Sequence, residues 1–373
     1  MRVASLTALG VAPGQLMASG VRLFNFQMAG MLLGGILWGV LGDRLGRRTV
    51  LFGSIVLYSL ATTANAFAHS LESYAWLRLL AGLGMSGELG AAVALVSERV
   101  PARLRGYATM LVASFGLVGS ATAGIVSGWM SWRSAYLVGG ALGFVLLLLR
   151  WGTAESAMFR SLHHGDRRGD LRLLWEKPQR ALTYLQCVLV GIPVWFTQAI
   201  LIALAPEITA ALEVHPPITV GTAVAFYCTG AACGDILSGT LSQKLHSRKK
   251  ALLIFMLGLT AMDYAILSAH GATEHSLYWL CLALGLGTGY WAVFVTVAAE
   301  QFGTNLRSTV TTTVPNFVRG ASILITTLVR SLAGSLGLLG SAAAVGTACS
   351  LLALLALLGL RETFARDLDF TEA

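Results

Sequence analysis

The 373-residue chain is 55% hydrophobic, and only 12% of its residues are charged. An ordinary soluble domain carries about 25% charged residues. These numbers exclude a soluble globular protein and a disordered chain, because too few charged side chains are present to cover a water-facing surface. The net charge of +8 comes from basic residues in the short connections between apolar stretches, which indicates a protein of the lipid bilayer rather than one that binds nucleic acid.

The apolar residues fall into eleven stretches, each near the length of about 20 residues that one helical crossing of a bilayer requires. The stretches are Phe24–Leu41, Val50–Phe67, Tyr74–Val96, Ala108–Trp129, Ala135–Arg150, Leu182–Ala205, Thr219–Leu241, Ala251–Ser268, Leu277–Ala299, Thr309–Val329 and Leu338–Leu360. The longest polar segment follows the fifth stretch. We therefore predict an all-α polytopic membrane protein with an N-terminal bundle over 1–150, a linker over 151–180, a C-terminal bundle over 181–361 and a tail over 362–373.

The basic residues are distributed unevenly along this pattern. Counting Arg150 at the edge of the fifth stretch, 20 of the 26 Lys and Arg residues lie in the tail and in the connections after alternate stretches, starting with the first. Positively charged connections are retained on the cytoplasmic side of a membrane. We therefore expect a multi-pass protein of the cell inner (plasma) membrane, with the linker and the C-terminus in the cytoplasm.

Three short patterns occur twice, at an offset of about 200 residues. Gly39–Arg48 is echoed by Gly239–Arg248, Glu98–Arg105 by Glu300–Arg307, and Glu155–Ser156 by Glu362–Thr363. Ordered internal repeats in a polytopic chain are typical of transporters that are built from two homologous bundles.

The repeated patterns also carry a resemblance to a known family. Gly39, Asp43, Arg44, Gly46, Arg47 and Arg48 resemble the signature loop between the second and third helices of the major facilitator superfamily. Glu98, Pro101 and Arg105 are similar to its signature after the fourth helix, and Glu155–Ser156 to the one after the sixth. The segment Gly82–Leu89 resembles the sugar-porter and metabolite–proton symporter branches. The resemblance implies the major facilitator fold, with two pseudo-symmetric six-helix bundles, and transport by alternating access.

The position of the first signature raises one expectation about the start of the chain. In the family this loop follows the second helix, whereas here it follows the first apolar stretch. Residues 1–21 resemble the loop after the family's first helix, so we expect that helix to be missing and about eleven to be present. Because the first helix usually lines the substrate cavity, a non-transporting scaffold or sensor, or a truncated remnant, is an alternative reading.

The charged residues at the signatures are candidates for a gate. A carboxylate at a helix end, such as Asp43, can accept backbone N–H groups from the start of a neighbouring helix, and the arginines beside it can pair with Glu98. The alternative is that these charges only fix the membrane topology. Gln243 replaces the acid in the second repeat, so the gate is expected to be asymmetric. The candidate gating residues are Gly39, Asp43, Arg44, Gly46, Arg47, Arg48, Glu98 and Arg105, the last through the resemblance.

Ionisable side chains inside a membrane helix cost roughly 2.5–3.5 kcal/mol on insertion scales and are functional candidates by default. Glu88 lies near the middle of a glycine-rich stretch, where burial favours the neutral carboxyl, and we predict that it carries a coupling proton. The alternative is an ion pair with an arginine. Asp235 and Asp263 are expected to be structural partners or to extend toward the membrane surface.

A second set of residues is a candidate substrate site. Arg319 follows Asn316 inside the tenth stretch, and an intramembrane guanidinium suits a carboxylate or a phosphate, although it could equally pair with Glu88 or Asp235. Family analogy adds five cavity-lining candidates, which are Trp195, Gln198, Tyr227, Tyr290 and Trp291. Aromatic residues also serve as packing or interfacial anchors, which is the alternative for these side chains.

The sequence contains no Walker-type nucleotide loop, no Ser-His-Asp arrangement with useful spacing and no cluster of metal ligands. We therefore expect neither an enzyme nor a cofactor or metal site, and the energy source must be an ion or solute gradient. The predicted function is secondary active transport of a small polar or anionic organic metabolite, by symport with protons. The alternative within transport is export of a drug or another amphipathic compound.

Overall fold

The computed structural model of the protein consists of α-helices and describes residues 2–126, 129–152, 155, 169–366 and 370–372; at a few helical positions, including Arg105, it describes the main chain alone. The N-terminal half contains α1 (Arg2–Ala8), α2 (Leu16–Leu45), α3 (Arg47–Asn65), α4 (Leu71–Arg99), α5 (Ala102–Val126) and α6 (Trp132–Leu149). The C-terminal half contains α7 (Arg172–Glu176), α8 (Pro178–Phe196), α9 (Ala205–Ala211), α10 (Val220–Lys244), α11 (Arg248–Leu267), α12 (Glu274–Thr288), α13 (Trp291–Gln301) and α14 (Arg307–Gly359). Half of the predicted linker over 151–180 lies outside the described residues.

The predicted all-α polytopic fold is confirmed. Among the described residues, eight helical segments are long and apolar enough to cross a membrane, and one of them, α14, holds two of the predicted stretches on either side of a kink at Gly337. The helices α3 and α5 account for two further stretches. The arrangement follows from the bilayer itself, because a helix satisfies all of its backbone hydrogen bonds internally where water is absent.

The start of the chain differs from the prediction of a loop over residues 1–21. Residues Arg2–Ala8 form a helix, a short 3₁₀ turn follows at Pro13–Gln15, and α2 begins at Leu16, well before the predicted Phe24. The polar residues Ser19 and Arg22 interrupt the apolar pattern without interrupting the helix. Hydropathy therefore placed the membrane segment correctly but missed the first two turns of α2. The absence of a family helix before it stays a prediction.

Several helices begin at a side chain that caps the exposed backbone N–H groups of their first turn. The Ser70 hydroxyl accepts a hydrogen bond from the Ser73 N–H, and the Ser73 side chain accepts one from the Ser70 N–H, which is a reciprocal capping box. Single caps of the same kind start α6, α10, α11 and α12, at Ser131, Thr219, Ser247 and Thr273. These polar residues lie just before apolar runs, so the sequence marks where each of these helices starts.

Two membrane segments of the C-terminal half are interrupted inside the bundle. Pro193 lies within α8, which continues into a π-helix over Thr197–Ile202. A proline removes one backbone hydrogen bond and clashes with the preceding turn, so the change of helix type here has a local cause. The second interruption falls between α12 and α13, where Gly289 and Tyr290 leave the helical pattern. Both interruptions lie next to candidate site residues.

Glycines allow equivalent helix pairs to approach closely in the two halves. A Cβ atom on Gly30 of α2 would lie 2.0 Å from the Leu79 carbonyl oxygen of α4. A Cβ atom on Gly230 of α10 would lie 2.0 Å from the Leu282 carbonyl oxygen of α12. Small residues at such crossings bring membrane helices into backbone contact. The two close pairs occupy corresponding places in the repeat, in agreement with a pseudo-symmetric architecture.

The two halves meet along α14, which packs against α2 and α4, and along α5, which packs against α10 and α13. The Asn316 amide of α14 donates to the Ser86 carbonyl of α4 at 2.9 Å. Across the other seam, the hydroxyls of Thr109 and Thr296 are 2.8 Å apart. Polar contacts such as these fix the register of the two halves, and apolar residues of α2 and α4, such as Met31 and Val93, pack into the same buried cluster as those of the C-terminal half.

Candidate functional site

Asp43, near the C-terminus of α2, joins the two halves at one end of the bundle. Its carboxylate accepts the backbone N–H groups of Ser308 at 3.1 Å and Thr309 at 2.8 Å, and the Thr309 hydroxyl at 2.7 Å. Ser308 and Thr309 form the first turn of α14, where unpaired N–H groups and the helix dipole favour a negative charge. A buried carboxylate of the N-terminal half thus caps a helix of the C-terminal half. We call this end of the molecule the signature end.

Behind Asp43, three fully buried charged side chains form a cluster. Arg47 contacts Glu98 at 2.8 Å and Asp43 at 3.3 Å, and its guanidinium also donates to the Thr304 carbonyl of the C-terminal half at 3.1 Å. Arg307 of α14 lies 3.6 Å from the same Glu98 oxygen. The contacts of Arg47 with Thr304 and of Arg307 with Glu98 cross between the halves, and the contacts of Arg47 with Asp43 and Glu98 hold these side chains in place. Separating the halves here therefore requires breaking several charge-assisted interactions.

The remaining candidate gating residues play different parts. Arg44 and Arg48 are exposed, and the Arg48 backbone N–H donates to the Glu155 carboxylate at 3.0 Å. Gly39 faces Thr309 at a distance that leaves little room for a side chain, and Gly46 connects α2 to α3 with a φ of 100°, a conformation that favours glycine. The Arg105 side chain lies outside the described part of the chain. The predicted gating role of these residues stays a prediction.

The second repeat reproduces the buried cluster but not the Asp43 contact. Arg248 at the start of α11 lies 3.3 Å from Glu300, as Arg47 at the start of α3 lies beside Glu98. Glu362 accepts the backbone N–H groups at the start of α11, as Glu155 does at the start of α3. Gln243, in the position of Asp43, has a buried amide nitrogen without a hydrogen-bond partner among the described residues.

A cationic side chain, Arg319, lies near the middle of the membrane segment of α14 that precedes the kink at Gly337, about 18 Å along the helix from Arg307. The guanidinium of Arg319 is 5.7 Å from the ring centre of Trp195 and 5.4 Å from that of Trp291, and it donates to the Asn316 side-chain oxygen at 2.9 Å. In the described part of the chain it pairs with no carboxylate, neither Glu88 nor Asp235. Four of the predicted substrate residues are therefore in one place.

Gln198 is separated from that group and lines a cavity of about 730 Å³ at the other end of the bundle. The cavity lies between the first turns of α2 and the C-terminal half, and its wall includes Phe24, Gln198 of the π-helix, Val224 of α10 and Thr326 of α14. Thr326 is two turns farther from the signature end than Arg319. The contacts of Asp43 and Arg47 thus join the halves at the signature end, and this cavity lies between them at the opposite end.

Tyr227 and Tyr290 do not reach Arg319 but point into the interior of the C-terminal half. The Tyr290 hydroxyl donates to the Val190 carbonyl of α8 at 3.0 Å. Two buried acids share this interior, since Asp263 accepts from the Thr197 hydroxyl at 2.8 Å and Asp235 accepts from the Ala292 N–H at 3.0 Å. The sequence predicts that Asp235 and Asp263 are structural partners or extend toward the membrane surface. Each has one carboxylate oxygen without a partner in the described residues, a feature that sequence patterns do not report.

Glu88 faces α3 and α6 rather than the seam between the halves. Its carboxylate lies 2.9 Å from the Arg150 guanidinium at the end of α6, and the two side chains are 31% and 26% exposed, respectively. The alternative that the sequence left open, an ion pair with an arginine, is therefore present in this conformation. Whether Glu88 carries a proton stays a prediction.

Comparison with known proteins agrees with this architecture. The sequence profile of the Major Facilitator Superfamily matches residues 4–337. The solved structure of the major facilitator proton:xylose symporter XylE, bound to 6-bromo-6-deoxy-D-glucose, is similar with a TM-score of 0.75 and 17% sequence identity, covering 98% of this chain and 92% of that one. At 17% sequence identity, the similarity shows a shared fold alone.

Two relatives are similar in sequence. The 3-(3-hydroxy-phenyl)propionate transporter of Escherichia coli (strain K12) is 32% identical over 243 residues, which are 62% of this chain and 58% of that protein. A protein of Bacillus subtilis (strain 168) that is named as a niacin/nicotinamide transporter, NiaP, is 29% identical over 318 residues, or 82% of this chain and 76% of that protein. Both are named as transporters and neither as an enzyme. With the profile match over most of its length, the chain belongs to the Major Facilitator Superfamily.

Proposed function

We propose that the protein is a proton-coupled secondary transporter of a small aromatic carboxylate. The observation that carries this proposal is Arg319, a guanidinium at mid-membrane depth between the indole rings of Trp195 and Trp291, with no carboxylate partner in the described residues. A lone cation in a membrane interior is costly unless an anion joins it. The site therefore lacks the negative charge that a substrate supplies.

The chemistry of the three side chains selects both parts of such a substrate. A guanidinium offers a planar pair of N–H donors that matches a carboxylate, and indole rings provide flat surfaces for an aromatic ring. Asn316 holds the Arg319 side chain from one side while its own amide donates to the Ser86 carbonyl of the other half. The relative named for 3-(3-hydroxy-phenyl)propionate supports the same class, since this compound joins an aromatic ring to a carboxylate. The Bacillus subtilis relative is named for niacin, an aromatic carboxylic acid, and also for nicotinamide, its neutral amide, so its name supports the aromatic ring.

The conformation supports alternating access as the mechanism. The halves are joined at the signature end through Asp43 and the Arg47–Glu98 pair, while the cavity that Gln198 lines separates them at the other end. We assign the signature end to the cytoplasm of the cell inner membrane, because most of the basic residues flank it. In this assignment the structure represents the outward-facing state, and the C-terminus is cytoplasmic.

Coupling to protons requires a group whose protonation differs between the two states. Glu88 is one candidate, because breaking its pair with Arg150 in the other state would leave a carboxylate in a glycine-rich membrane helix, where the neutral form is favoured. A proton gradient would then drive the cycle without a nucleotide. Two observations support this energy source. The sequence of this chain contains no Walker-type nucleotide loop, and XylE, which has a similar fold, is named as a proton:xylose symporter.

The decisive binding experiment compares acids with their neutral amides. Purified protein is titrated with nicotinate and nicotinamide by isothermal calorimetry, and the titration is repeated with Arg319→Lys and with Arg330→Lys, a control at an exposed position of the same helix. We expect preference for the acid, lost in Arg319→Lys and retained in Arg330→Lys. Equal binding of acid and amide would contradict the proposal. Preference for amphipathic cations would favour a drug exporter, and binding of no small molecule would favour a scaffold.

A further inference from the structure

Asp235 of α10 occupies a position that the proposed substrate site and gate do not explain. Its side chain is fully buried, one carboxylate oxygen accepts the Ala292 N–H at 3.0 Å, and the other oxygen has no hydrogen-bond partner in the described residues. A buried ionised carboxylate requires a counter-charge or several donors. One backbone N–H satisfies neither condition, so the carboxyl is neutral in this conformation.

In the described part of the chain, the neighbouring elements bring no positively charged side chain to it. The titratable groups in the same interior are Tyr227 and Cys228 on α10 itself, Asp263 on α11 and Tyr290 at the interruption before α13. The helices α5 and α12 pack on α10 through apolar groups, such as Met110 against Gly239 and the Leu286 backbone against Gly234. An ionised Asp235 would therefore lie beside the Tyr227 phenol, in an interior that also holds the acid Asp263.

The hydrogen bond of Asp235 reaches the point where the ninth membrane segment, between α12 and α13, is interrupted. Ala292 lies in the first turn of α13, and on the other side of the interruption the Ser238 hydroxyl donates to the Gly289 carbonyl at 2.5 Å. Asp235 and Ser238, on adjacent turns of α10, thus bind the backbone on either side of the interruption, at Ala292 and Gly289. Between those ends lies Trp291, one of the two rings that flank Arg319.

We propose that Asp235 is a proton-binding residue that couples protonation to the substrate site through the interruption between α12 and α13. The proton adds to, and leaves from, the carboxylate oxygen that lacks a partner. An ionised Asp235 binds the first turn of α13 more strongly than a neutral one, because a negative charge is favoured at a helix N-terminus. Losing the proton also requires water or a cation to reach the carboxylate, and hence a different packing of α10, α13 and Trp291.

This inference rests on the proposed proton coupling and assigns a residue to it that is distinct from Glu88. Glu88 has a counter-charge in Arg150 and no contact to the substrate residues, whereas Asp235 has no counter-charge and is one residue removed, through Ala292, from Trp291. Asp263 is a matched control, because it is equally buried in the same half and also has one unpartnered oxygen, but it bonds to the π-helix at Thr197.

The first test needs no substrate. Hydrogen–deuterium exchange of the segment 286–294 is measured in lipid nanodiscs between pH 5 and 8, corrected for intrinsic exchange, in the wild type, Asp235→Asn and Asp263→Asn. We expect protection that changes with pH in the wild type and in Asp263→Asn, and protection that is independent of pH in Asp235→Asn. A wild-type pH dependence that persists in Asp235→Asn, or its absence from the wild type, would overturn the inference.

The second test separates this inference from the proposed function. In proteoliposomes, Asp235→Asn should lose nicotinate accumulation driven by a pH gradient while keeping nicotinate exchange. Normal accumulation in Asp235→Asn refutes the role of Asp235 and leaves the proposed function standing. A wild type that moves no aromatic acid but shows the exchange behaviour above refutes the function and leaves the proton site standing. If Asp235→Asn does not fold, Ala292→Pro decides, because a proline in the first helical turn removes the N–H group that donates to Asp235; retained pH dependence in that variant overturns the coupling.

Discussion

Replacing Asp43 by Asn should open the signature end without unfolding the protein. The carboxylate accepts three hydrogen bonds from the start of α14, two of them from Thr309 on the same oxygen. An Asn side chain has almost the same shape but keeps one acceptor oxygen, and its NH₂ group turns a donor toward other donors. Hydrogen bonds to charged groups contribute about 1.5–3 kcal/mol each, and part of this is regained from water when the halves separate. A net loss of about 2 kcal/mol would shift the closed-to-open ratio about 30-fold.

The shift can be measured as a distance between the halves. Nitroxide labels at Leu45 and Leu245, which are exposed at the ends of α2 and α10, report the separation of the halves by pulsed electron paramagnetic resonance in nanodiscs. We expect a short distance to dominate in the wild type and a longer one to gain population in Asp43→Asn. Gln243→Ala, at the equivalent position of the second repeat, is the control and should leave the distribution unchanged. Identical distributions for Asp43→Asn and the wild type would refute the assignment of Asp43 to the gate.

Three further predictions follow from particular contacts. Glu88→Gln should abolish pH-driven accumulation while leaving substrate exchange measurable, if the pair with Arg150 is part of the coupling; unchanged accumulation would remove Glu88 from the mechanism. Gly30→Ala should destabilise the protein by about 1–3 kcal/mol because its Cβ would meet backbone, whereas Gly258→Ala, on a helix face with open space, should not lower the melting temperature. Burial favours the neutral form of Glu362, but hydrogen bonds from the Ser247 side chain and from the start of α11 outweigh it and lower the pKa below its ordinary 4.5. Its stabilisation is therefore present above about pH 4.5 and lost as the pH falls through the lowered value, so melting temperatures of the wild type and Glu362→Gln should converge in acid.

Hydropathy and short-range patterns were sufficient for the fold. A membrane helix must be apolar over a length that the bilayer sets, so each crossing is visible in the sequence, and capping residues such as Ser70 and Thr219 mark helix starts locally. The repeat also pointed to equivalent clusters, because Arg47 and Arg248 occupy matching positions. These features depend on neighbours in the chain or on an internal copy of the pattern.

The partners of the ionisable groups could not be found in this way. Glu88 pairs with Arg150, and Asp235 bonds to the backbone of Ala292, contacts that only the packing of distant helices creates. The interruption at Gly289 was hidden as well, since a glycine in an apolar run is compatible with a continuous membrane helix. Hydropathy therefore treated Leu277–Ala299 as one segment and gave no reason to connect Asp235 with it.

The central claim, that the protein moves an aromatic carboxylate at the expense of a proton gradient, is tested most directly by transport. Purified protein in proteoliposomes is supplied with radiolabelled nicotinate or 3-(3-hydroxyphenyl)propionate, with the lumen alkaline relative to the medium or at equal pH. We predict that at least one acid accumulates above equilibrium only when the gradient is present. The other acid should compete with this uptake, and the amide of that competing acid should not. Accumulation that ignores the gradient, or uptake no greater than in protein-free liposomes for either acid, would contradict the claim.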